Sequence, residues 1–261
     1  EREISTTLGS NAITVTDRVE NAGYDRVEHM LLYHINIGFP AVDADAELLS
    51  PSRRITPRDA AAEVRERFSI HKPFVLCVGD LQPRKNHISL IRAFERLVKA
   101  HPHLKQDLVI AGKETWFADR VHAAAEDSGV ADRIRFFGFV SDQDLLQLYN
   151  ACDLFVFPSY YEGFGLPVLE AMACGRAVAS ANTSALPEVV DGAAILFDPY
   201  SIDEIVRAMA DVLLDSELRG RMERLGLQRA AHFSWQKTAA RTLDVFREVV
   251  ETSVTTRPDV P

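Results

Sequence analysis

Two carboxylates on either side of a glycine-rich turn are the residues of this chain best placed for chemistry. Glu162 and Glu170 have seven residues between them, beginning with Gly-Phe-Gly-Leu-Pro. The apolar run that ends at Pro158 predicts a buried strand, and the stretch from Pro167 to Gly175 predicts a helix. Unpaired N–H groups at such a helix start bind anions, and carboxylates accept hydrogen bonds from sugar hydroxyls. The pattern therefore suits a ligand with a diphosphate between hydroxyl-rich rings.

A pair of cations is predicted at the same place in the fold. Arg84 and Lys85 follow the apolar run Phe74–Gly79 and precede a helical pattern that Asn86 would cap. The carboxyl ends of parallel strands share one edge of a sheet, so these cations should lie near Glu162. Fixed positive charge there would neutralise a diphosphate leaving group. Taken alone, an Arg-Lys-Asn triplet is more often part of a surface loop, and two glutamates at this spacing more often belong to a solvated helix face.

Short apolar runs alternate with helical patterns from residue 74 onward. The runs are Phe74–Gly79, Leu108–Gly112, Ile134–Gly138, Leu154–Pro158, Arg176–Ser180 and Ala194–Phe197. Strands of near-continuous hydrophobicity separated by helices predict an α/β fold with a Rossmann-like, doubly wound parallel sheet.

Polar residues mark several helix ends in this part of the sequence. Ser141 with Asp144, and Ser201 with Glu204, have the spacing of capping boxes. Two long helices are expected last, over Glu217–His232 and Trp235–Glu251, the second capped by Ser234. The polar, proline-containing segment Thr252–Pro261 is expected to be a disordered tail.

The first 60 residues follow a different pattern. Asn11–Glu20 alternates in part like a strand and Met30–Gly38 is a second β-like run, which predicts a short β-rich segment of hairpin type. Glu28–Pro40 and Ser52–Asp59 resemble a piece of the aldose-epimerase-like β-sandwich family. That resemblance implies a sugar contact for His34, although an ordinary strand histidine is the alternative. The piece has too few strands to close a sandwich.

Composition and charge narrow the classes of function. The chain has 261 residues, of which 47% are hydrophobic, and its net charge of -9 argues against nucleic acid as a partner. No apolar run approaches the ~20 residues of a membrane span, and no signal-peptide pattern is seen. The three cysteines and the scattered histidines lack metal-ligand spacing. These features predict a cytoplasmic protein with reduced thiols and no metal site.

The segment Glu-Gly-Phe-Gly-Leu-Pro-x-Leu-Glu-Ala-Met-Ala-Cys-Gly resembles the Glu-x₇-Glu motif of retaining glycosyltransferases of family 4, which have the GT-B architecture. The resemblance implies a nucleotide-sugar-binding domain over residues 63–251, the C-terminal half of that architecture, between a β-rich fragment at 1–60 and a tail at 252–261. It further implies transfer of a hexose, mannose or glucose, from a GDP- or UDP-linked co-substrate, without a metal or another cofactor.

The resemblance also assigns roles to individual residues. Glu162 would act on the sugar, Arg84 and Lys85 on the phosphates, and Glu170 on the ribose. Val140 would read the base through its backbone, and Lys113 would contact phosphate or sugar. The remaining donor contacts would be Gly163, Phe164, Gly165 and Leu166.

Members of the resembled family place the acceptor on an N-terminal Rossmann domain, and no such pattern precedes Phe74. The expected partners are therefore a nucleotide-sugar donor, a glycan or lipid-linked acceptor that would bring the protein to a membrane surface, and a separate acceptor-domain protein. Two alternatives stay open. One is a nucleotide-sugar-binding module or truncated remnant without catalysis, and the other is a sugar mutarotase-type protein led by the N-terminal fragment.

Overall fold

The structure is a computed structural model that describes residues 2–6, 13–17 and 67–255. The first two ranges are strands β1 (Arg2–Thr6) and β2 (Ile13–Asp17), which pair antiparallel. Strand β2 lies inside the predicted run Asn11–Glu20. The predicted run Met30–Gly38, with His34, lies outside the described residues.

The main part of the chain is built on a parallel sheet. Its strands are β3 (Phe74–Val78), β4 (Asp107–Ala111), β5 (Ile134–Gly138), β6 (Leu154–Phe157), β7 (Val178–Ala181) and β8 (Ile195–Phe197). They lie side by side in the order β5-β4-β3-β6-β7-β8, and each neighbouring pair is parallel. The predicted α/β, doubly wound sheet is confirmed, with strand ends that differ from the predicted runs by two residues at most.

Helices alternate with these strands and cover the sheet. They are α1 (His87–Ala100), α2 (Ala118–Glu126), α3 (Asp142–Ala151), α4 (Leu166–Ala173), α5 (Leu186–Val190), α6 (Ile202–Leu214), α7 (Ser216–Ala230) and α8 (Trp235–Thr255). Helix α1 shows why they fold onto the sheet, because its buried residues Leu90, Ile91, Phe94 and Leu97 recur three and four apart. A short 3₁₀ turn over Pro83–Lys85 precedes it.

Both predicted capping boxes form only in part. The Ser141 hydroxyl accepts a hydrogen bond from the Asp144 N–H at 3.2 Å, and the Ser201 hydroxyl accepts one from the Glu204 N–H at 3.3 Å. In a full capping box, the acidic side chain would also accept from the backbone N–H of the serine, and neither acidic residue makes that contact. Ser141 donates to the Asp144 carboxylate at 2.7 Å, and the Glu204 carboxylate accepts from the N–H of Asp198 at 2.8 Å.

Asn86 occupies the N-cap position of α1 as predicted, but its side chain does not cap the helix. Asn86 has a left-handed backbone conformation, with φ of 57°, and its amide makes no cap hydrogen bond to the helix. Instead, the amide nitrogen Nδ2 donates to the carbonyls of Pro158 at 3.1 Å and Pro199 at 2.9 Å. This buried side chain therefore joins the loops after β3, β6 and β8.

The C-terminal helices differ slightly from the prediction. Helix α7 begins one residue earlier than predicted because the Asp215 carboxylate accepts from the N–H groups of its first turn, and it ends at Ala230, two residues before the predicted end. Ser234 caps α8 as predicted, accepting from the N–H of Lys237 at 3.2 Å. The predicted disordered tail is wrong at its start, since α8 continues from Glu251 through Thr255. No proline or glycine interrupts that stretch.

The strand order reverses between β3 and β6. From β3 the chain moves outward through β4 to β5, then returns to β6 on the other side of β3. The chain continues from β3 to β4 on one side and from β6 to β7 on the other, so the loops Gly79–Asn86 and Pro158–Gly165 follow the two strands between which the order reverses. In open α/β sheets, ligands bind in the crevice that this reversal creates.

Close backbone contacts fix the strand ends beside that crevice. The N–H of Gly79 donates to the Ala111 carbonyl at 2.9 Å, and the N–H of Gly112 donates to the Gly138 carbonyl at 2.8 Å. A Cβ atom on Gly112 would lie 2.0 Å from the carbonyl oxygen of Gly79. Only glycine fits at this position without separating the ends of β3 and β4.

We expect Gly112→Ala to lower the free energy of unfolding by about 1–3 kcal/mol or more, because its methyl group would overlap backbone atoms that cannot move aside. Urea denaturation followed by circular dichroism measures this change. Gly163→Ala is the matched control, since a Cβ atom there meets nothing within 4 Å. Equal stability of the two variants would contradict the close contact.

Candidate functional site

Glu162, in the loop after β6, binds both cations of the loop after β3. Its Oε1 atom lies 2.7 Å from Arg84 Nη1 and 2.8 Å from Lys85 Nζ. Arg84 also donates to the Tyr161 carbonyl at 2.7 Å, and the Tyr160 N–H donates to the Arg84 carbonyl at 2.9 Å. The fold thus brings the three predicted catalytic residues together at the point where the strand order reverses.

Burial strengthens the electrostatic attraction between Glu162 and its two cationic partners. The side chains of Lys85 and Glu162 are 13% and 11% exposed, whereas that of Arg84 is 42% exposed. Lys85 Nζ lies 4.9 Å from the centre of the Phe157 ring, and the stem of Lys85 passes over Gly79, which has no side chain to block it. Burial opposes ionisation of Glu162, but the hydrogen bond and charge of Lys85, helped by Arg84, hold its pKa below the ordinary 4.5.

The turn between the two motif carboxylates exposes backbone donors. Among the residues that the structure describes, none accepts a hydrogen bond from the N–H groups of Gly163, Phe164, Gly165 and Leu166. These groups lead into the first turn of α4. Gly165 has φ of 109°, and a Cβ atom on it would lie 2.6 Å from Leu186 Cδ2, so glycine is needed there.

Ser184 and Thr183, in the loop after β7, support the motif turn. The Ser184 hydroxyl accepts from the Glu162 N–H at 2.9 Å and donates to the Thr183 carbonyl at 2.8 Å. The Thr183 hydroxyl donates to the Ser159 carbonyl at 3.3 Å. Sequence reasoning assigned these residues no role, although their place after a strand of the same sheet was a usable signal.

Glu170, on α4, has a different partner. Its Oε2 atom accepts a hydrogen bond from the Tyr149 hydroxyl of α3 at 2.9 Å. The residue as a whole is exposed, but its carboxyl group is partly enclosed between the two helices. Burial raises the pKa of Glu170 above the ordinary 4.5, the Tyr149 hydrogen bond lowers it, and the charge of Asp142 adds to the increase. Tyr149 is a second residue that sequence reasoning missed.

The loops after β3, β4 and β5 form one continuous edge. The N–H of Lys113 donates to the Asp80 carboxylate at 3.1 Å, and the N–H of Leu81 donates to the Lys113 carbonyl at 2.9 Å. Lys113 Nζ lies 5.1 Å from the centre of the Phe139 ring, which is 71% exposed. Val140 is half-buried beside it. The predicted donor contacts Lys113 and Val140 therefore lie on neighbouring loops of this edge.

The described residues include neither a metal-ligand cluster nor a reactive thiol. Within residues 2–6, 13–17 and 67–255, no group of three His, Cys, Asp or Glu residues could hold a metal ion, and no helix is long and apolar enough to cross a membrane. The cysteines Cys77, Cys152 and Cys174 are free thiols. Burial raises the pKa of Cys77 to about 12 and that of Cys174 to about 11, so both stay protonated at neutral pH.

Residues 62–229 match a family described as glycosyl transferases group 1. The chain belongs to this family. Residues 1–74 match a domain of unknown function, DUF4432. That match gives weak support to a separate N-terminal fragment, and the resemblance of the fragment to aldose epimerases stays a prediction.

The curated relatives of this glycosyl transferase group 1 chain are longer than the chain itself. It is 36% identical over 192 residues to the serotype-specific mannosyltransferase WbdA of Escherichia coli, covering 73% of the chain and 23% of the relative. It is 36% identical over 238 residues to the O-antigen chain mannosyltransferase B of Escherichia coli, and the match covers 90% of the chain and 60% of the relative. The D-inositol 3-phosphate glycosyltransferase of Corynebacterium jeikeium is 32% identical, and the match covers 81% of the chain and 54% of the relative.

Solved structures share the fold of this chain. Sucrose-phosphate synthase from Thermosynechococcus elongatus has a TM-score of 0.64 at 25% identity, covering 73% of this chain and 49% of its own. The C-terminal domain of a group 1 glycosyl transferase, LpcC, from Francisella tularensis has a TM-score of 0.59 at 25% identity, covering 68% and 97%. The Anabaena protein HepE, in complex with UDP-glucose, has a TM-score of 0.65 at 20% identity, covering 74% and 56%.

We expect Glu162→Gln to lower the free energy of unfolding at neutral pH by about 1–3 kcal/mol, because it removes charge-assisted contacts to Lys85 and Arg84. The depressed pKa of Glu162 sets the sign of the pH dependence. The stabilisation is fully present above the ordinary pKa and disappears as pH falls through the lower, folded-state value. The difference in stability between the two proteins should therefore shrink in acid.

Chemical denaturation at a series of pH values checks this expectation. Glu126→Gln is the control, since it removes an exposed carboxylate at the end of α2. A difference that stays constant as pH falls would show that Glu162 acts through packing and not through its charge.

Proposed function

We propose that this chain is the donor-binding half of a retaining glycosyltransferase that works without a metal. The donor would be a GDP- or UDP-linked hexose, with mannose or glucose as the sugar. The convergence of Arg84, Lys85 and Glu162 where the strand order reverses carries the proposal. Membership of the glycosyl transferase group 1 family and the similarity to two mannosyltransferases support it.

The diphosphate would bind between the cation pair and the motif turn. Two positive charges meet one negative charge in the cluster, which leaves a net positive site for phosphate oxygens. The N–H groups of Gly163, Phe164, Gly165 and Leu166 add neutral donors at the start of α4. As the glycosidic bond breaks, negative charge grows on the leaving diphosphate. Arg84 and Lys85 stabilise that charge more strongly than they stabilise the ground state.

The nucleoside would lie toward α3. Glu170 accepts hydrogen bonds from the ribose hydroxyls, and the backbone beside Val140 reads the base. Lys113 is close enough to this edge to reach a phosphate or the sugar. The hexose would then lie near Glu162, on the opposite side of the diphosphate. In this arrangement the acceptor attacks from the face that the leaving phosphate vacates, which retains the configuration of the sugar.

The acceptor would be a glycan or a lipid-linked molecule, bound partly by a separate acceptor domain. The chain spans 23% to 60% of the length of the two mannosyltransferases that it resembles. A cytoplasmic protein that meets its acceptor at a membrane surface fits such a reaction. A nucleotide-sugar-binding module without catalysis is the second candidate.

We expect the double substitution Arg84→Ala and Lys85→Ala to weaken GDP or UDP binding by about 100-fold or more, because charge-assisted contacts contribute about 1.5–3 kcal/mol each. Isothermal titration calorimetry measures this affinity. The matched control is Arg96→Ala with Lys99→Ala, which removes the same charge from the exposed side of α1. Equal affinities of the two double variants would contradict the phosphate role.

The two motif carboxylates should separate in function. We expect Glu170→Ala to weaken free GDP or UDP binding, because it removes the ribose acceptor. Glu162→Ala should leave free nucleotide affinity nearly intact and reduce hydrolysis of the nucleotide sugar. Calorimetry and a donor-hydrolysis assay below the melting temperature of each variant measure both effects. Weakened nucleotide binding in Glu162→Ala with intact binding in Glu170→Ala would mean that the two roles are exchanged. If the unmodified protein binds the nucleotide sugar without hydrolysing it, the non-catalytic module is favoured.

A further inference from the structure

The hydrogen bond between Tyr149 and Glu170 points to a residue that no motif identifies. We infer that Tyr149 is a positioning residue of the donor site, which holds one oxygen of Glu170 so that the other faces the ribose hydroxyls. This inference rests on the proposed function and names a residue that acts through Glu170 without touching the donor.

The phenol of Tyr149 is fixed by the protein core. Tyr149 is 2% exposed, and its ring packs edge-on against the buried ring of Phe155 in β6, with centres 5.4 Å apart. Its hydroxyl reaches Glu170 Oε2 at 2.9 Å. Burial and the charge of Glu170 raise the pKa of Tyr149 well above its ordinary 10.0, so the hydroxyl remains a donor at neutral pH. A rigid donor of this kind sets the rotamer of the carboxyl group.

The position of Tyr149 on α3 couples two parts of the nucleoside site. Helix α3 begins directly after Val140 and Ser141, the loop proposed to read the base. The Tyr149 hydrogen bond therefore holds the Glu170 carboxylate, the proposed ribose acceptor, at a fixed distance from that loop. Without the bond, Glu170 would keep several rotamers, and ligand binding would have to select one of them.

The charge state of Glu170 depends on the same contact. An ionised carboxylate only accepts hydrogen bonds, and with Oε2 held by Tyr149 it has Oε1 for a vicinal diol. Asp142 of α3 disfavours its ionised form, and Cys174, directly after α4, is a further titratable neighbour. Among the described residues, no cation lies within ion-pair distance of Glu170. Tyr149 therefore provides the contact that favours the ionised form.

Tyr149→Phe tests the inference, since it removes one oxygen and keeps the ring. We expect nucleotide affinity at neutral pH to fall about tenfold, the size of one hydrogen bond to a charged group. In the ligand-free variant, the carboxyl carbon-13 signal of Glu170 should titrate at a higher pH than in the unmodified protein. Because the diol needs an ionised acceptor, loss of affinity in acid should also begin at a higher pH. Tyr200→Phe is the control, because it removes the same oxygen from an exposed tyrosine after β8.

A double-mutant cycle separates a positioning role from a structural one. If Tyr149 acts through Glu170, adding Tyr149→Phe to Glu170→Ala should cause no further loss of GDP or UDP affinity. An additive loss, or an unchanged titration of Glu170 in Tyr149→Phe, would overturn the inference. Unweakened binding by Glu170→Ala alone would overturn the ribose role in the proposed function, whereas the titration would still report on the contact with Tyr149.

Discussion

A single carboxylate holds the two halves of the site together. Arg84 and Lys85 are adjacent cations at the end of β3, and Lys85 is nearly buried over the Phe157 ring. Two such charges repel each other and resist burial unless an anion is present. Glu162 supplies that anion from the loop after β6, at 2.7 Å and 2.8 Å. This interaction links the loop after β3 to the loop after β6, which also carries the N–H groups that follow Glu162.

The frame around the carboxylate is made of backbone contacts that tolerate little change. Gly112 permits the ends of β3 and β4 to meet, and Asn86 holds the loops after β6 and β8 through two carbonyls. Ser184 fixes the backbone of Glu162 from the loop after β7. Each of these residues lies at the carboxyl edge of the sheet, so the edge is rigid around the cluster before any ligand binds. This is the preorganisation that electrostatic stabilisation of a leaving group requires.

The strand–helix alternation and the motif region could be predicted from the sequence because both depend on local patterns. Apolar runs and turn residues located all of β3 to β8, and the common edge of a parallel sheet placed Arg84 near Glu162. The supporting contacts could not be predicted in the same way. Tyr149 meets Glu170 from another helix, and Asn86 adopts a left-handed conformation that turns its amide away from α1. Such contacts depend on strand order and backbone geometry, which no local pattern specifies.

The ion pair also bears on discrimination between ligands. A free inorganic phosphate that reaches the loop after β3 meets cations that Glu162 has already half neutralised. It gains little there, and it is too small to engage Glu170 at the same time. In the proposed function, a nucleotide diphosphate would span both regions along one sheet edge, so the second contact would follow the first at high effective concentration. In that proposed site, partial neutralisation by Glu162 would make the cations less attractive to small anions, and binding would depend on a ligand that also reaches Glu170.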